Sequence, residues 1–314
     1  MVISLILLLL FLGILIKCAN YTVKYSSQLA KKLKISEFIV SFFIVAVIAS
    51  LPEATISIIA TIKGNPQLGL GTLLGAKITD LTLVFGLAAL FSFNGINVKS
   101  KIINRNFYFL LFLILPLILG LDGSFSRLDG IILFATGFIF FIKIYFDSKK
   151  FNKKFKYAKK EPFIKSFLLL ILSIGILLGS SILTVKFALE FAQSIKIPEI
   201  LIGLTIIALG TCLPELIFSI KAAKNNNDEL AIGDLFGSVI IGSTILLGIV
   251  AIISPFTYNP NSLYSMGATL FLGGIALVIF MKTDKLITKK EGLILIFMYI
   301  IYLIMEFLIN TIIW

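Results

Sequence analysis

Long apolar runs, each closed by a short polar or basic link, follow one another along the whole chain. A run of about 20 such residues is long enough to cross roughly 30 Å of hydrocarbon as a helix. The pattern predicts five helices in the first half: Met1 to about Lys32, Glu37–Ile62, Leu68–Phe93, Phe107–Leu121 and Leu128–Tyr145. After the polar stretch Asp147–Pro162 it predicts five more: Phe163–Ser194, Glu199–Ala223, Leu230–Ser254, Tyr264–Met281 and Glu291–Ile313. The first run has no basic residues ahead of it and no clear cleavage site, so it reads as a retained membrane helix. The fold class expected is an all-α polytopic membrane protein of ten transmembrane helices.

Two of these runs are interrupted in the same way. Val47–Glu53 reads VIASLPE and Ile207–Glu215 reads IALGTCLPE, so Leu-Pro-Glu falls near the middle of helices 2 and 7. The offset in numbering from Glu53 to Glu215 also relates Gly71 to Gly233, Gly75 to Gly237 and Gly86 to Gly248. Ser57 and Ser219, Ile78 and Ile240, and Glu37 and Glu199 keep it too. This is a gapless internal duplication: residues 1–146 form one repeat around a motif at 46–86, and residues 163–314 the other around 208–248.

Charge adds direction. Lys31, Lys32, Lys34, Lys99, Lys101, Arg105, the linker 147–162, Lys221, Lys224, Lys282, Lys285, Lys289 and Lys290 fall on one side of the predicted helices. The other side receives Lys63, Arg127 and Lys196, and none between Pro255 and Ser265. Basic loops stay in the cytoplasm, which puts the linker there and both termini outside a cell membrane. Because five helices is an odd number, the second repeat enters the membrane inverted, the architecture of secondary transporters.

The composition, 59% hydrophobic and 14% charged with a mean hydropathy of +1.07, excludes an ordinary soluble domain. The net charge of +12 is accounted for by basic loops and does not indicate nucleic acid. Histidine is absent, and the two cysteines, Cys18 and Cys212, make no disulfide framework. With no histidine, paired cysteines or nucleophile–base pair, an enzyme is not expected.

Glu53 and Glu215 would be expensive at mid-membrane, at about 2.5–3.5 kcal/mol each on the lenient scale, which marks them as functional. Pro52 and Pro214 precede them and remove a backbone donor, freeing carbonyls in the turn before. With the hydroxyls of Ser50 and Thr211 this makes an all-oxygen site, suited to hard cations such as Ca²⁺ or Na⁺. Asp80 has Lys77 three positions before it on the same helix face. The two are either an internal ion pair or a cation ligand with a built-in competitor. Asp234 lies near the predicted start of helix 8, where it is either a ligand or a carboxylate answering the helix dipole. Gly71, Gly75, Gly233, Gly237 and Gly248 read as packing devices for close helix approach.

At these residues the chain resembles the sodium/calcium exchanger family of the cation/calcium antiporter superfamily, archaeal and bacterial type. Its two repeats each carry a G-T-S-L-P-E-like motif and then a G-N-x-x-G-S-like motif on the next helix. The specific match covers Ala46–Gly86 and Ala208–Gly248, and the layout matches along essentially the whole chain. The resemblance implies a core of helices 2, 3, 7 and 8 around the ions, with helices 1 and 6 sliding against it. It implies that Glu53 and Glu215 are the central ligands. Ser50, Thr211 and Ser238, with the carbonyls of Ala46 and Ala208, would complete the oxygen sites. The chain departs from the pattern at Ala49, Ala76 and Cys212, each in place of a hydroxyl residue. Gly242 stands where the second repeat usually has an aspartate and Asp80 where the first has an asparagine, while Lys77 is foreign to the pattern.

The resulting expectation is a secondary antiporter exchanging Ca²⁺ for Na⁺ by alternating access. The alternative is proton-coupled exchange in which Glu53 or Glu215 takes the proton, and a cation channel is the weaker third reading. Inorganic cations and the bilayer are the expected partners of a monomeric chain, with no cofactor. Topology is directly testable: a cysteine placed between Lys149 and Lys160 labels only from the cytoplasm, and one at Thr257 only from outside. Labelling of both from one side would change the helix count by one.

Overall fold

The computed structural model describes residues 2–64, 66–98, 109–150, 163–194, 208–258, 260–283 and 285–312. In chain order the helices are α1 (Val2–Leu33), α2 (Glu37–Ala49), α3 (Leu51–Ile62), α4 (Pro66–Phe91), α5 (Phe109–Leu119) and α6 (Arg127–Lys150). They continue with α7 (Phe163–Ser194), α8 (Ala208–Thr211), α9 (Leu213–Lys224), α10 (Asp228–Ile253), α11 (Pro260–Lys282) and α12 (Lys289–Ile312). Among the described residues, six helical stretches are long and apolar enough to span a bilayer unaided, in α1, α4, α6, α7, α10 and α11, and the bent pair α2–α3 makes a seventh. The chain is therefore a mostly helical, multi-pass membrane protein. Expected helices 4 and 7 are described only from Phe109 and from Ala208, since residues 99–108 and 195–207 lie outside the described set, as does the linker at 151–162.

The interruptions fall where proline dictates. Pro52 cannot donate to the Ile48 carbonyl, and the chain turns at Ser50 (φ −75°, ψ −3°) so that α2 and α3 meet at 40°. Pro214 does the same to the Gly210 carbonyl, with the turn at Cys212 (φ −90°, ψ 3°). The Gly210 carbonyl freed in this way accepts a bond from Ser181 Oγ on α7 at 3.4 Å. Among the described residues, three wide π turns relieve the long central helices at Ser41–Val45, Asp80–Val84 and Ile241–Leu246. Such turns concentrate at functional sites.

The repeat offset recurs in three dimensions. Strand β2 (Ser124–Phe125) and strand β4 (Leu286–Ile287) are separated by the same step in numbering as Glu53 and Glu215. β2 pairs antiparallel with β3 (Phe256–Thr257), and β4 with β1 (Ile96–Asn97). Each two-residue ladder thus ties a loop of one half to a loop of the other. The same holds for helix contacts. A Cβ on Gly86 would lie 2.7 Å from the Gly292 carbonyl, and one on Gly130 would lie 2.8 Å from the Gly248 carbonyl. Gly248 and Gly292 are the repeat-mates of Gly86 and Gly130, so α4 meets α12 as α10 meets α6.

α4 and α10 are buried along most of their length and pack against α2–α3 and α8–α9, forming the centre. α1 and α7, each of 32 residues and so about 48 Å long, lie along one another at the edge of that centre. They share a hydrogen bond from Thr22 Oγ1 to Ser173 Oγ at 3.2 Å. The glycine expectation holds in part. Gly233 and Gly237 would collide with the α2 backbone at Phe38 and Phe42, but Gly71 has nothing within 4 Å and Gly75 only the Tyr302 hydroxyl at 3.8 Å. Gly71 faces open space, and Gly75 makes only this ordinary contact with α12.

Gly248→Val is expected to lower the apparent melting temperature in detergent, with an overpacking cost of about 1–3 kcal/mol. Gly71→Ala is expected to be neutral or to raise stability slightly, because a Cβ there meets nothing and helix propensity improves.

Candidate cation site

The two breaks place both central glutamates at helix starts. Glu53 is in the first turn of α3 and Glu215 in the first turn of α9, each just after a proline. A helix N-terminus carries partial positive charge, which favours a carboxylate there. Asp80 opens the π turn within α4, and Asp234 and Ser238 project from α10. All of these side chains are fully buried, and so is Lys77 on α4.

Lys77 is the hub. Its Nζ lies 2.8 Å from Glu53 Oε2 and 2.8 Å from Asp80 Oδ2, and it donates to Ser238 Oγ at 2.5 Å. The Ser238 hydroxyl in turn donates to Asp80 Oδ2 at 2.9 Å. The Glu53 contact is an ion pair without directed hydrogen-bond geometry. The spacing of Lys77 and Asp80 correctly predicts their pairing, and the structure adds partners on α3 and α10 that no spacing within one helix reveals. The Lys77 stem runs across Gly242: a Cβ there would lie 2.5 Å from Lys77 Cε and 2.7 Å from Cδ. Only glycine leaves that path open.

The buried charges do not balance. Among the described residues, four fully buried acids (Glu53, Asp80, Glu215, Asp234) face the single fully buried base Lys77, a formal excess of three negative charges when all are ionised. Neither oxygen of Glu215 has a hydrogen-bond partner among the described residues, nor do Glu53 Oε1, Asp80 Oδ1 and Asp234 Oδ1. α9, which carries Glu215, packs against the turn that Asp80 opens and against the end of α2. Buried anionic oxygens without donors call for cations or protons.

The neighbouring polar groups are placed as follows. Ser50 Oγ donates to the Ala46 carbonyl at 2.8 Å, and that carbonyl also accepts the Ser50 amide at 3.0 Å. Both of its lone pairs are therefore in use within the helix. Cys212 Sγ sits 3.5 Å from the Ala76 carbonyl and 3.9 Å from Thr211 Oγ1. One ligand atom each from Glu53, Asp80 and Cys212 fall within 4.8 Å of one another. Ala208 opens the short α8 just before the break.

Asp234 corrects one reading. α10 begins at Asp228, and its first-turn acids are Asp228 and Glu229. Asp234 lies a turn further in, beyond the reach of the helix-end dipole. Ser219 Oγ on α9 approaches its Oδ2 at 3.5 Å. Ser219 was visible in the sequence only as the repeat-mate of Ser57, because its contact with Asp234 depends on how α9 packs on α10.

The profile of the sodium/calcium exchanger protein family matches the chain twice, at residues 3–146 and 165–308, two segments that keep the repeat offset. A putative antiporter, CaxA, of Alkalimonas amylolytica is 34% identical over 96% of this chain and 98% of its own length. The sodium/calcium exchanger MaX1 of Methanosarcina acetivorans is 28% identical over 97% and 99%. Among solved structures, the sodium-calcium exchanger NCX_Mj soaked with zero Na⁺ and Ca²⁺ superposes with a TM-score of 0.83 at 29% identity, covering 96% of this chain and 98% of that one.

Removing Lys77 alone would leave Glu53 and Asp80 buried without their counter-charge. Lys77→Met is expected to cost about 3–5 kcal/mol, and Lys77→Met with Asp80→Asn markedly less. Thermal unfolding of the parent, the two single variants and the double variant in detergent measures this coupling.

Proposed function

The chain belongs to the sodium/calcium exchanger family, and from that membership we propose that it is a secondary antiporter exchanging Ca²⁺ for Na⁺ by alternating access across the cell membrane. Its ten helices form two inverted five-helix repeats, 1–146 and 163–314, joined by a cytoplasmic linker, with both termini outside. The single observation that carries this reading is the buried excess of acid oxygens gathered at two proline-broken helix starts. Glu53 and Glu215 are the ligands around which an ion is held. Asp80, Asp234, Ser50, Thr211 and Ser238 supply further oxygens, and the carbonyls of Ala46 and Ala208 complete the set. Engaging the Ala46 carbonyl requires Ser50 to release it, and that rearrangement couples ion binding to the break between α2 and α3. Cys212, a soft ligand for a hard cation, is buried beside the Glu53 and Asp80 oxygens and adds a weak ligand to the set.

Closely packed acids with too few counter-charges bind a divalent ion or several monovalent ions, but not both at once. This competition is what exchange requires. The sliding of α1 and α7 against the core would then expose the filled site to alternate sides. Proton-coupled exchange is the second reading, favoured by the unpartnered carboxyl of Glu215, which a proton could occupy when the cation leaves.

Ca²⁺ uptake into proteoliposomes driven by an outward Na⁺ gradient tests the first reading, and the same uptake driven only by a proton gradient would replace it with the second. Glu53→Ala and Glu215→Ala are each expected to reduce uptake to background while the protein still inserts. Near-normal uptake by both would remove the site.

A further inference from the structure

The Lys77 ammonium has the surroundings of a bound ion rather than those of a packing residue. Its oxygen neighbours, Glu53 Oε2, Asp80 Oδ2 and Ser238 Oγ, lie at 2.5–2.8 Å and come from three helices: α3, α4 and α10. They span both halves of the duplicated chain. Ser238 orients its own hydrogen toward Asp80, so its lone pairs face the ammonium, as they would face a metal ion. Access for the stem depends on Gly242, where any side chain would strike Cγ, Cδ and Cε of Lys77. The oxygens left over, both of Glu215 with Glu53 Oε1 and Asp80 Oδ1, have no partner among the described residues.

We propose that Lys77 is a tethered monovalent cation, permanently filling one cation seat of the exchanger, with Gly242 cut away to admit it. This deepens the antiport reading and rests on it. A tethered charge is bound on both sides of the membrane and is never released, so it drops out of the ion count. The cycle then moves one fewer dissolved monovalent cation per divalent ion, and the charge carried per turnover changes by one unit. The transported ions use the Glu215 side of the cluster. Buried primary amines held by carboxylates and a hydroxyl satisfy the same electrostatic demand as a small monovalent ion. They do so without the entropic cost of capturing one from solution.

Two readouts test this. The first needs no transport: the thermal stability of purified Lys77→Ala in detergent, in choline chloride, with methylammonium chloride added as the missing head group. The variant is expected to melt below the parent in choline and to regain stability saturably with methylammonium, while the parent does not respond. A variant that gains no more than the parent overturns the proposal, whatever the protein transports. Should Lys77→Ala fail to fold, Lys77→Ser replaces it, because its hydroxyl offers the buried helix a polar partner while leaving the head-group seat empty. Gly242→Ala supplies a steric control, since it adds a Cβ on the path of the stem and no charge. It should destabilise the parent strongly and the Lys77→Ala background little, and equal effects in both would mean that the stem does not run past Gly242.

The second readout is coupling in proteoliposomes. The Hill slope for the driving monovalent ion should rise by a whole ion in Lys77→Ala, and the reversal potential should shift accordingly. An unchanged slope with intact exchange leaves the antiporter standing and removes the tethered cation. A parent without any exchange removes the antiport reading, and the methylammonium result still decides whether the seat accepts a cation.

Discussion

Charge buried away from water must find a counter-charge, and in this protein that requirement is concentrated on one ammonium group. Four fully buried acids lie in the centre of a chain that is 59% hydrophobic, and Lys77 is the only fully buried base among the described residues. Its contacts on α3, α4 and α10 join elements far apart in sequence. In a low-dielectric interior these attractions are large, but so is the cost of desolvating each partner, and the net gain depends on every partner staying in place. Lys77 therefore sets the relative position of the helices as well as the charge of the cavity. The acids it leaves without a counter-charge need protons or cations, and that part of the requirement the fold does not meet by itself.

The backbone prepares this arrangement. Pro52 and Pro214 stop their helices at mid-depth, and each restart offers a fresh N-terminus to the glutamate that follows. The π turn at Asp80–Val84 and its counterpart at Ile241–Leu246 widen α4 and α10 where they pass the cluster. Around this loosened centre the packing is tight. Gly86 with Gly292, and Gly248 with Gly130, bring backbones into direct contact on opposite flanks, and two short strand pairs fasten the loops. Tight flanks thus surround a broken centre, and the long helices α1 and α7 border it.

The likeness to NCX_Mj and MaX1 extends over nearly the full chain. At the centre of this chain Lys77 and Gly242 fit one another, one supplying a long side chain and the other leaving its path open. Each looks disruptive alone, since a lysine without space and a glycine in a long helix are both costly. Together they are complementary in volume and charge.

The sequence by itself determined the membrane class, the duplication and the identity of the two central glutamates. Apolar run length, the repeated Leu-Pro-Glu and a constant offset between matching residues are one-dimensional signals, and each maps directly onto a physical constraint of the bilayer or the helix ladder. It placed Lys77 and Asp80 on one helix face, because residues three apart share one, and the structure shows that they pair. It could not place Glu53 and Ser238 on the same ammonium, since those contacts depend on how α3 and α10 pack on α4. Nor could it separate Gly242, whose missing side chain makes room for Lys77, from Gly71, which faces open space. For Asp234 it left a ligand role and a helix-end role open, and the helix start at Asp228 puts Asp234 beyond the first turn, where the dipole acts. Distance along the chain fixes which residues share a helix. Which helices share a cavity is decided by packing between segments far apart in the chain, and there the tertiary structure alone decides.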